Sequence, residues 1–171
     1  MSSPRTPVAP AVTTTLLFLL FSLGEQRFAL PAREVVEVLP LLPLKPIPRA
    51  PGWVAGVFSY RGQVVPVIDL CHLALGSPAR QRTSTRVVLV NYPGNHCLGL
   101  VLEQASQTLR CDLTEFKPYG LLSPDAPYLG PIREDAQGLL QRISVEDLLD
   151  ERARTLLFAP ENAALLGGAS K

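Results

Sequence analysis

Between Val54 and Leu70 the chain reads V-A-G-V-F-S-Y-R-G-Q-V-V-P-V-I-D-L, a stretch that leaves little choice of local structure. Two runs of branched apolar residues, Val54–Phe58 and Val64–Ile68, flank the polar tip Ser59-Tyr60-Arg61-Gly62-Gln63. Strand formers on both arms and a glycine at the tip predict a β-hairpin, because glycine takes positive φ without a Cβ clash. Arg61 sits at the apex, where neither arm can easily bury its charge. Pro66 cannot donate to a ladder, which pushes the second arm toward a sheet edge or a bulge. Asp69 is placed to cap a short helical turn over Leu70–Leu75 that stops at Gly76. Upstream, Pro40, Pro43, Pro46, Pro48 and Pro51 forbid a helix, and alternating Leu42, Leu44 and Ile47 predict an extended edge segment. Arg33–Leu39 is compatible with either a helical turn or a strand.

Residues 1–14 are poor in charge and rich in Pro, Ser, Thr and Ala, and read as a disordered lead-in. The next run, Leu16–Phe21, admits two readings. It resembles the apolar core of a signal peptide. It also leads directly into Gly24-Glu25-Gln26-Arg27 and a second apolar segment, Phe28-Ala29-Leu30, which strand, tight turn and strand explain together. The run is too short to span a membrane.

A breaker-rich stretch after Leu75 separates two halves that look related. Phe21-Ser-Leu-Gly24 followed by Phe28-Ala-Leu30 has a counterpart in Asn91-Tyr-Pro-Gly94 followed by Leu98-Gly-Leu100, 70 residues on. Gly56-Val-Phe falls on Gly130-Pro-Ile, and Ile68-Asp-Leu70 on Ile143-Ser-Val145. Each half therefore supplies several short strands, too few for a large sandwich and enough for a small barrel. The expected organisation is a single domain over 15–155, with lobe-forming halves at about 15–80 and 86–155 and a frayed tail over 156–171. Within the second half, Ser144 is expected to cap an acidic helix start at Glu146–Glu151.

Composition narrows the function. A formal net charge of +1 gives no basic stripe for nucleic acid. The 47% apolar content suits a β core or an apolar patch kept for partners. Cys71, Cys97 and Cys111 are odd in number and form no C-x-x-C pair, so they read as reduced, buried small hydrophobes. His72 and His96 have no ligands at metal spacing. Without a nucleophile elbow, P-loop, G-x-G-x-x-G or H-E-x-x-H, the expectation is a protein that is not an enzyme and carries no cofactor or metal.

From about Leu16 to Leu149 the chain resembles the CheW-like coupling domain of bacterial chemosensory systems. The resemblance rests on Phe21-Ser22-Leu23-Gly24, Phe28-Ala29-Leu30-Pro31, Val35-Val36-Glu37-Val38, Pro48-Arg49-Ala50-Pro51, Gly56 to Gly62, and Pro66-Val67-Ile68-Asp69-Leu70. It implies an all-β fold with short helices: two small five-stranded, SH3-like barrels side by side with a groove between them. It further implies a cytoplasmic adaptor that receives the helical-hairpin tip of a chemoreceptor in that groove. One barrel face would pair with the regulatory domain of a CheA-type histidine kinase, and other CheW-like domains are further partners. No nucleic acid binding and no direct membrane insertion are implied. Residue by residue, Arg61, Val35, Glu37, Gly56 and Ser59 are the candidate partner contacts, with Ser59 standing where the family usually has Asn. Arg61 has two readings, a direct contact or a brace paired with a carboxylate such as Glu37. The second half departs from the family at Gln141 and Arg142, and its tip, Arg133 to Gly138, is acidic where the first is basic. Two other readings are a free-standing barrel that binds a proline-rich or helical peptide, and a secreted all-β binding protein.

Overall fold

The computed structural model describes residues 15–119 and 123–158. Leu16–Phe21 lies within a strand, Thr15–Leu23 (β1), which turns at Gly24 (φ +62°) into Gln26–Pro31 (β2). The ambiguous segment contains both candidate structures: a 3-10 turn at Ala32–Glu34 runs into the strand Val35–Pro40 (β3). The central hairpin forms as Val54–Tyr60 (β4) and Gln63–Asp69 (β5). Its helical exit is Leu70–Leu75 (α1), where the Asp69 side chain accepts from His72 N–H at 3.1 Å and Gly76 ends the turn at φ +80°. Arg86–Tyr92 (β6), the long His96–Asp112 (β7), Leu129–Asp135 (β8), Gly138–Ile143 (β9) and the helix Glu151–Phe158 (α2) follow among the described residues.

Two five-stranded lobes result, and they are not the two halves of the sequence. One lobe runs β7-β1-β2-β9-β8, the other β4-β5-β7-β6-β3. The first lobe takes β1 and β2 from the first half and β7, β8 and β9 from the second, and the other takes β3, β4 and β5 from the first half and β6 and β7 from the second, so the repeat is present but interleaved. The reason is β7, whose 17 residues pair with β5 and β6 up to Leu102 and with β1 from Glu103 onward. A strand of that length crosses from one lobe to the next, carrying the strands after it into the other sheet. Equivalent parallel contacts join β2 to β9 and β5 to β7. Equivalent single bridges, Lys117 to Ile132 and Lys45 to Val57, tie each lobe's outer strand to the loop that precedes it. The segment carrying Leu42 and Leu44 is the extended edge that the prolines predict.

Side chains alternate along the strands and fill three cores. Phe18, Ala29, Cys111, Phe116 and Leu140 pack inside the β1 lobe, and Val65, Val67, Val87, Leu89 and Val101 inside the β4 lobe. The largest core lies between the lobes and takes the opposite faces of the same strands, including Phe21, Phe28, Val88, Val90, Leu98 and Leu100. Phe28 and Leu98, equivalent in the repeat, are therefore buried in this shared core rather than each in a barrel of its own.

Three local expectations are corrected. Pro66 is buried in a strand paired on both sides, tolerated because the parallel ladder to β7 begins one residue later, at Val67. Ser144 does not cap a helix; its hydroxyl binds the Asp147 carboxylate at 2.8 Å over a 3-10 turn, and Asp150 instead accepts from Ala153 N–H at 2.8 Å as α2 begins. Residues 156–158 belong to α2, with Leu157 2% exposed, so the tail expected from 156 starts no earlier than 159. The lead-in over 1–14 and the tail over 159–171 lie outside the described residues.

Candidate functional site

At the β4–β5 tip Tyr60 pairs with Gln63, leaving a two-residue turn in which Arg61 (φ +50°) and Gly62 (φ +80°) are both left-handed. Such a turn matches the right-handed twist of the strands it joins. It also lifts Arg61 clear of both arms. The Tyr60 hydroxyl donates to Glu37 Oε1 on β3, and Arg61 Nη2 lies 3.4 Å from the same oxygen. The Arg61 guanidinium sits 5.0 Å from the Tyr60 ring centroid, within cation–π reach. The hydrogen bond to Glu37 pushes the Tyr60 hydroxyl above its ordinary pKa. Arg61 thus pairs with Glu37 while its side chain stays 77% exposed.

Not all five candidate residues share this face. Arg61, Glu37 and the exposed Ser59 lie at or beside the tip. Val35, half-buried, packs against the inter-lobe core. Gly56 is buried at φ +142°, and a Cβ there would sit 2.6 Å from the Lys45 carbonyl oxygen. That contact belongs to the bridge between Lys45 and Val57, so Gly56 shapes the lobe and offers a partner no surface.

Sequence reasoning missed the exposed valines of this lobe. Val36 and Val38 on β3 and Val64 on β5 are exposed. The repeat carried the signal, since the positions 70 residues on from Val36 and Val38 are Ser106 and Thr108, both exposed and polar. The segment Arg49–Trp53 and helix α2 wall a groove of about 970 Å³ in which apolar Pro51, Trp53, Ala153 and Leu156 are mixed with Thr155 and the charged Arg49, Asp150, Glu151 and Arg152.

The β8–β9 tip is finished differently. Arg27 grips Asp135 with two hydrogen bonds of 3.0 and 3.1 Å, and Arg133 adds a third at 3.1 Å. Hydrogen bonding from Arg27 holds the Asp135 carboxyl below the usual carboxylate range. Gln141, the departure in the last strand, is polar-paired: its amide donates to the Gly130 carbonyl at 3.0 Å and the Tyr119 hydroxyl at 3.2 Å.

Among the described residues no group of three or more His, Cys, Asp or Glu side chains could hold a metal ion, and no helix is long and apolar enough to cross a membrane. The geometry defines a β scaffold that presents surfaces: one charged tip with the exposed Val64 beside it, and one groove of mixed apolar and charged lining between Trp53 and α2. The chain belongs to the CheW-like domain family, whose sequence profile matches residues 17–153. It is 29% identical over 104 residues to the chemotaxis protein CheW of Helicobacter pylori, covering 60% of this chain and 62% of that protein. It is 33% identical over 101 residues to the protein FrzA of Myxococcus xanthus, covering 59% and 62%. The match to these two spans under two thirds of their length. A match to the chemotaxis protein CheW of Klebsiella aerogenes is longer, 24% identical over 142 residues and covering 82% and 85%. The fold is that of the crystal structure of the scaffolding protein TtCheW from Thermoanaerobacter tengcongensis, with a TM-score of 0.72 at 20% identity, covering 90% of this chain and 96% of that one.

Proposed function

We propose that this chain is a non-enzymatic adaptor that couples a chemoreceptor to a CheA-type histidine kinase in a chemosensory array, working in the cytoplasm beside the membrane-bound receptors. The observation that carries the reading is the β4–β5 tip: an exposed arginine held in a left-handed turn and tied to Glu37, with the exposed Val64 on the adjoining arm. Apolar residues at the centre of a face and charges at its edge are what a protein-binding surface requires. The groove beside Trp53 and Leu156 offers a helical-hairpin tip both apolar and charged side chains to meet. A scaffold with two faces in fixed relation lets receptor conformation bias kinase activity with no chemistry in the adaptor. Arg61, Glu37 and Ser59 act at the contact; Val35 and Gly56 act by shaping it.

The test is Arg61→Glu, with the thermal midpoint and the affinities for receptor and kinase measured together. Affinity is expected to fall by about 2–5 kcal/mol, the usual loss when one partner of a desolvated charge contact is reversed. The midpoint should hardly move, because an ion pair this exposed contributes little to folding. Unchanged affinities with an unchanged midpoint would remove Arg61 from the contact, and a collapsed midpoint would make it a structural brace.

A further inference from the structure

Matching Gly56 to Gly130 along the repeat sets Tyr60 against Glu134 and Arg61 against Asp135. The two tip charges are held very differently. Arg27 and Arg133 secure Asp135 with hydrogen bonds of 3.0, 3.1 and 3.1 Å, and its side chain is 20% exposed. Arg61 meets Glu37 through Nη2 alone, at 3.4 Å, beyond the usual hydrogen-bond range of about 2.7–3.2 Å. Its side chain stays 77% exposed although a carboxylate stands within reach. That openness needs a cause, because a guanidinium and a carboxylate commonly close into a bidentate pair.

Tyr60 supplies the cause in two ways. Its hydroxyl donates to Glu37 Oε1, the same oxygen that Arg61 approaches, so that oxygen already holds a donor. The bond to Glu37 is also the largest reason why the Tyr60 hydroxyl stands above its ordinary pKa. The ring acts separately from the hydroxyl. Tyr60 is half-buried against the interior of the β4 lobe, with Phe58, two residues back on the same strand face, edge-on to it at 6.2 Å. The Arg61 guanidinium carbon lies over that anchored ring at 5.0 Å, which covers one flat face and leaves N–H groups along the edge. Glu134, at the equivalent place in the other lobe, has neither a ring nor a hydroxyl, and that tip closes on its own charges.

We propose that Tyr60 is the positioning residue of this tip: by occupying Glu37 and shelving the guanidinium, it keeps Arg61 open to an acidic side chain of the bound partner. A planar fork of N–H donors matches a carboxylate best, and the exposed Val64 on the adjoining arm gives that carboxylate an apolar surface to arrive beside. The existence of the partner rests on the adaptor reading; the state of Arg61 in the free chain does not. Removing the Tyr60 hydroxyl leaves the Glu37 carboxylate short of a donor, and the nearest replacement is the guanidinium itself, which would then pair internally.

The test compares the free chain with the bound one. In the isotope-labelled full chain, Tyr60→Phe should slow rotation of the Arg61 guanidinium about its Cζ–Nη bonds, read by NMR, and adding Glu37→Gln should restore it. The thermal midpoint should hardly move, because the ring and its packing are kept. Calorimetric titration with a soluble chemoreceptor signalling-tip fragment and with a kinase regulatory domain then gives a double-mutant cycle. Tyr60→Phe should weaken binding about fivefold when Glu37 is present, and by less than about twofold in the Glu37→Gln background. One acid-to-amide change in the partner should abolish the Tyr60→Phe effect. An unchanged guanidinium rotation rate in Tyr60→Phe would overturn the positioning role. So would equal losses of affinity in the two backgrounds, the mark of a plain packing contact. A Tyr60→Phe effect that survives every acid-to-amide change in the partner would overturn the acidic side chain. A wild-type chain that binds neither the receptor fragment nor the kinase domain would overturn the adaptor reading and the acidic partner with it, while the rotation rate would still decide whether Tyr60 governs Arg61.

Discussion

At the tip of the β4 lobe one exposed arginine shares a single glutamate oxygen with a tyrosine; at the tip of the β1 lobe one aspartate is gripped by two arginines. These are equivalent hairpins of equivalent strands. The Arg27–Asp135 pair is only about a fifth exposed on each side, whereas Arg61 is mostly in solvent. The strands beside the tips diverge in the same sense, with Val36 and Val38 exposed on β3 where β7 presents Ser106 and Thr108. One lobe has its tip closed by its own charges and its flank covered in polar groups. The other leaves charge and apolar surface unspent, which is how one member of a duplicated pair can serve binding while the other serves stability.

The largest expected effects test whether the lobes are separate units at all. Phe28→Ala should cost about 3–5 kcal/mol and Leu98→Ala about 2–5, since both fill the core between the lobes. Phe18→Ala and Leu89→Ala, one inside each lobe, should add to within about 0.5 kcal/mol because they share no core cluster. Chemical denaturation of the single and double variants reads this. A loss below about 1 kcal/mol at both Phe28 and Leu98 would contradict the shared core.

Next in size comes the glycine pair. Gly56→Ala combines a 2.6 Å approach to the Lys45 carbonyl with φ +142°, and should cost about 2–4 kcal/mol. At its equivalent, Gly130, an added Cβ would sit 3.0 Å from the Arg142 carbonyl oxygen and the backbone is not left-handed, so Gly130→Ala should cost about 1–2 kcal/mol. Equal losses at the two sites would show that backbone conformation is not what distinguishes them.

Smaller again is the charge comparison. Asp135→Asn should cost about 1.5–3 kcal/mol at neutral pH, because it removes a charge hydrogen-bonded by two partly buried arginines. Glu37→Gln should cost less than about 1 kcal/mol, because its ion pair with Arg61 is exposed. Asp135 has a folded pKa below its ordinary value of 3.8, so its stabilisation is fully present above that pH and lost as pH falls through the folded value. The stability gap between wild type and Asp135→Asn should therefore hold steady down to about pH 4 and close below it. A gap that closes near neutral pH would assign the effect to another group.

The smallest effect concerns thiol reactivity. Cys71 and Cys111 are buried, and burial followed by the Glu103 contact pushes the Cys71 thiol up to about 11. Cys97 is half-buried, so of the three it should alkylate fastest in the native state, with Cys71 and Cys111 slow until denaturant is added. Mass spectrometry over a time course orders them, and modification of Cys71 ahead of Cys97 would contradict the packing around α1.

Much of the fold was legible because its rules are local. The β4–β5 hairpin, the Asp69 cap, the Gly76 stop and the Gly24 turn each follow from a few adjacent residues. The unbroken apolar runs of Phe18 to Phe21 and of Val87 to Val90 mark two-sided burial, but they do not say which face meets which core. The repeat was visible for the same reason and misled for another: an offset of 70 residues reveals equivalent strands without revealing their partners. Of the candidate site, Arg61, Glu37 and Ser59 were legible, and the geometry joins Arg61 to Glu37. Gly56 was legible as a special residue but not as a buried one. Val36, Val38 and Val64 were passed over because an exposed valine and a core valine are the same letter.

By itself the sequence determined the strands, the turns, the shortness of the helices and the motifs that mark the family, all set by φ preference, side-chain alternation and proline placement. Tertiary structure alone decided how those strands are shared. The length of β7 carries it across both lobes, burial of Phe28 and Leu98 in one common core follows from that crossing, and the sharing of one Glu37 oxygen by Tyr60 and Arg61 appears only once β3 reaches the β4–β5 tip. The physical reason is that a strand's hydrogen bonds can be satisfied by any neighbour of the right register, so partner choice is settled by which apolar faces can be buried together.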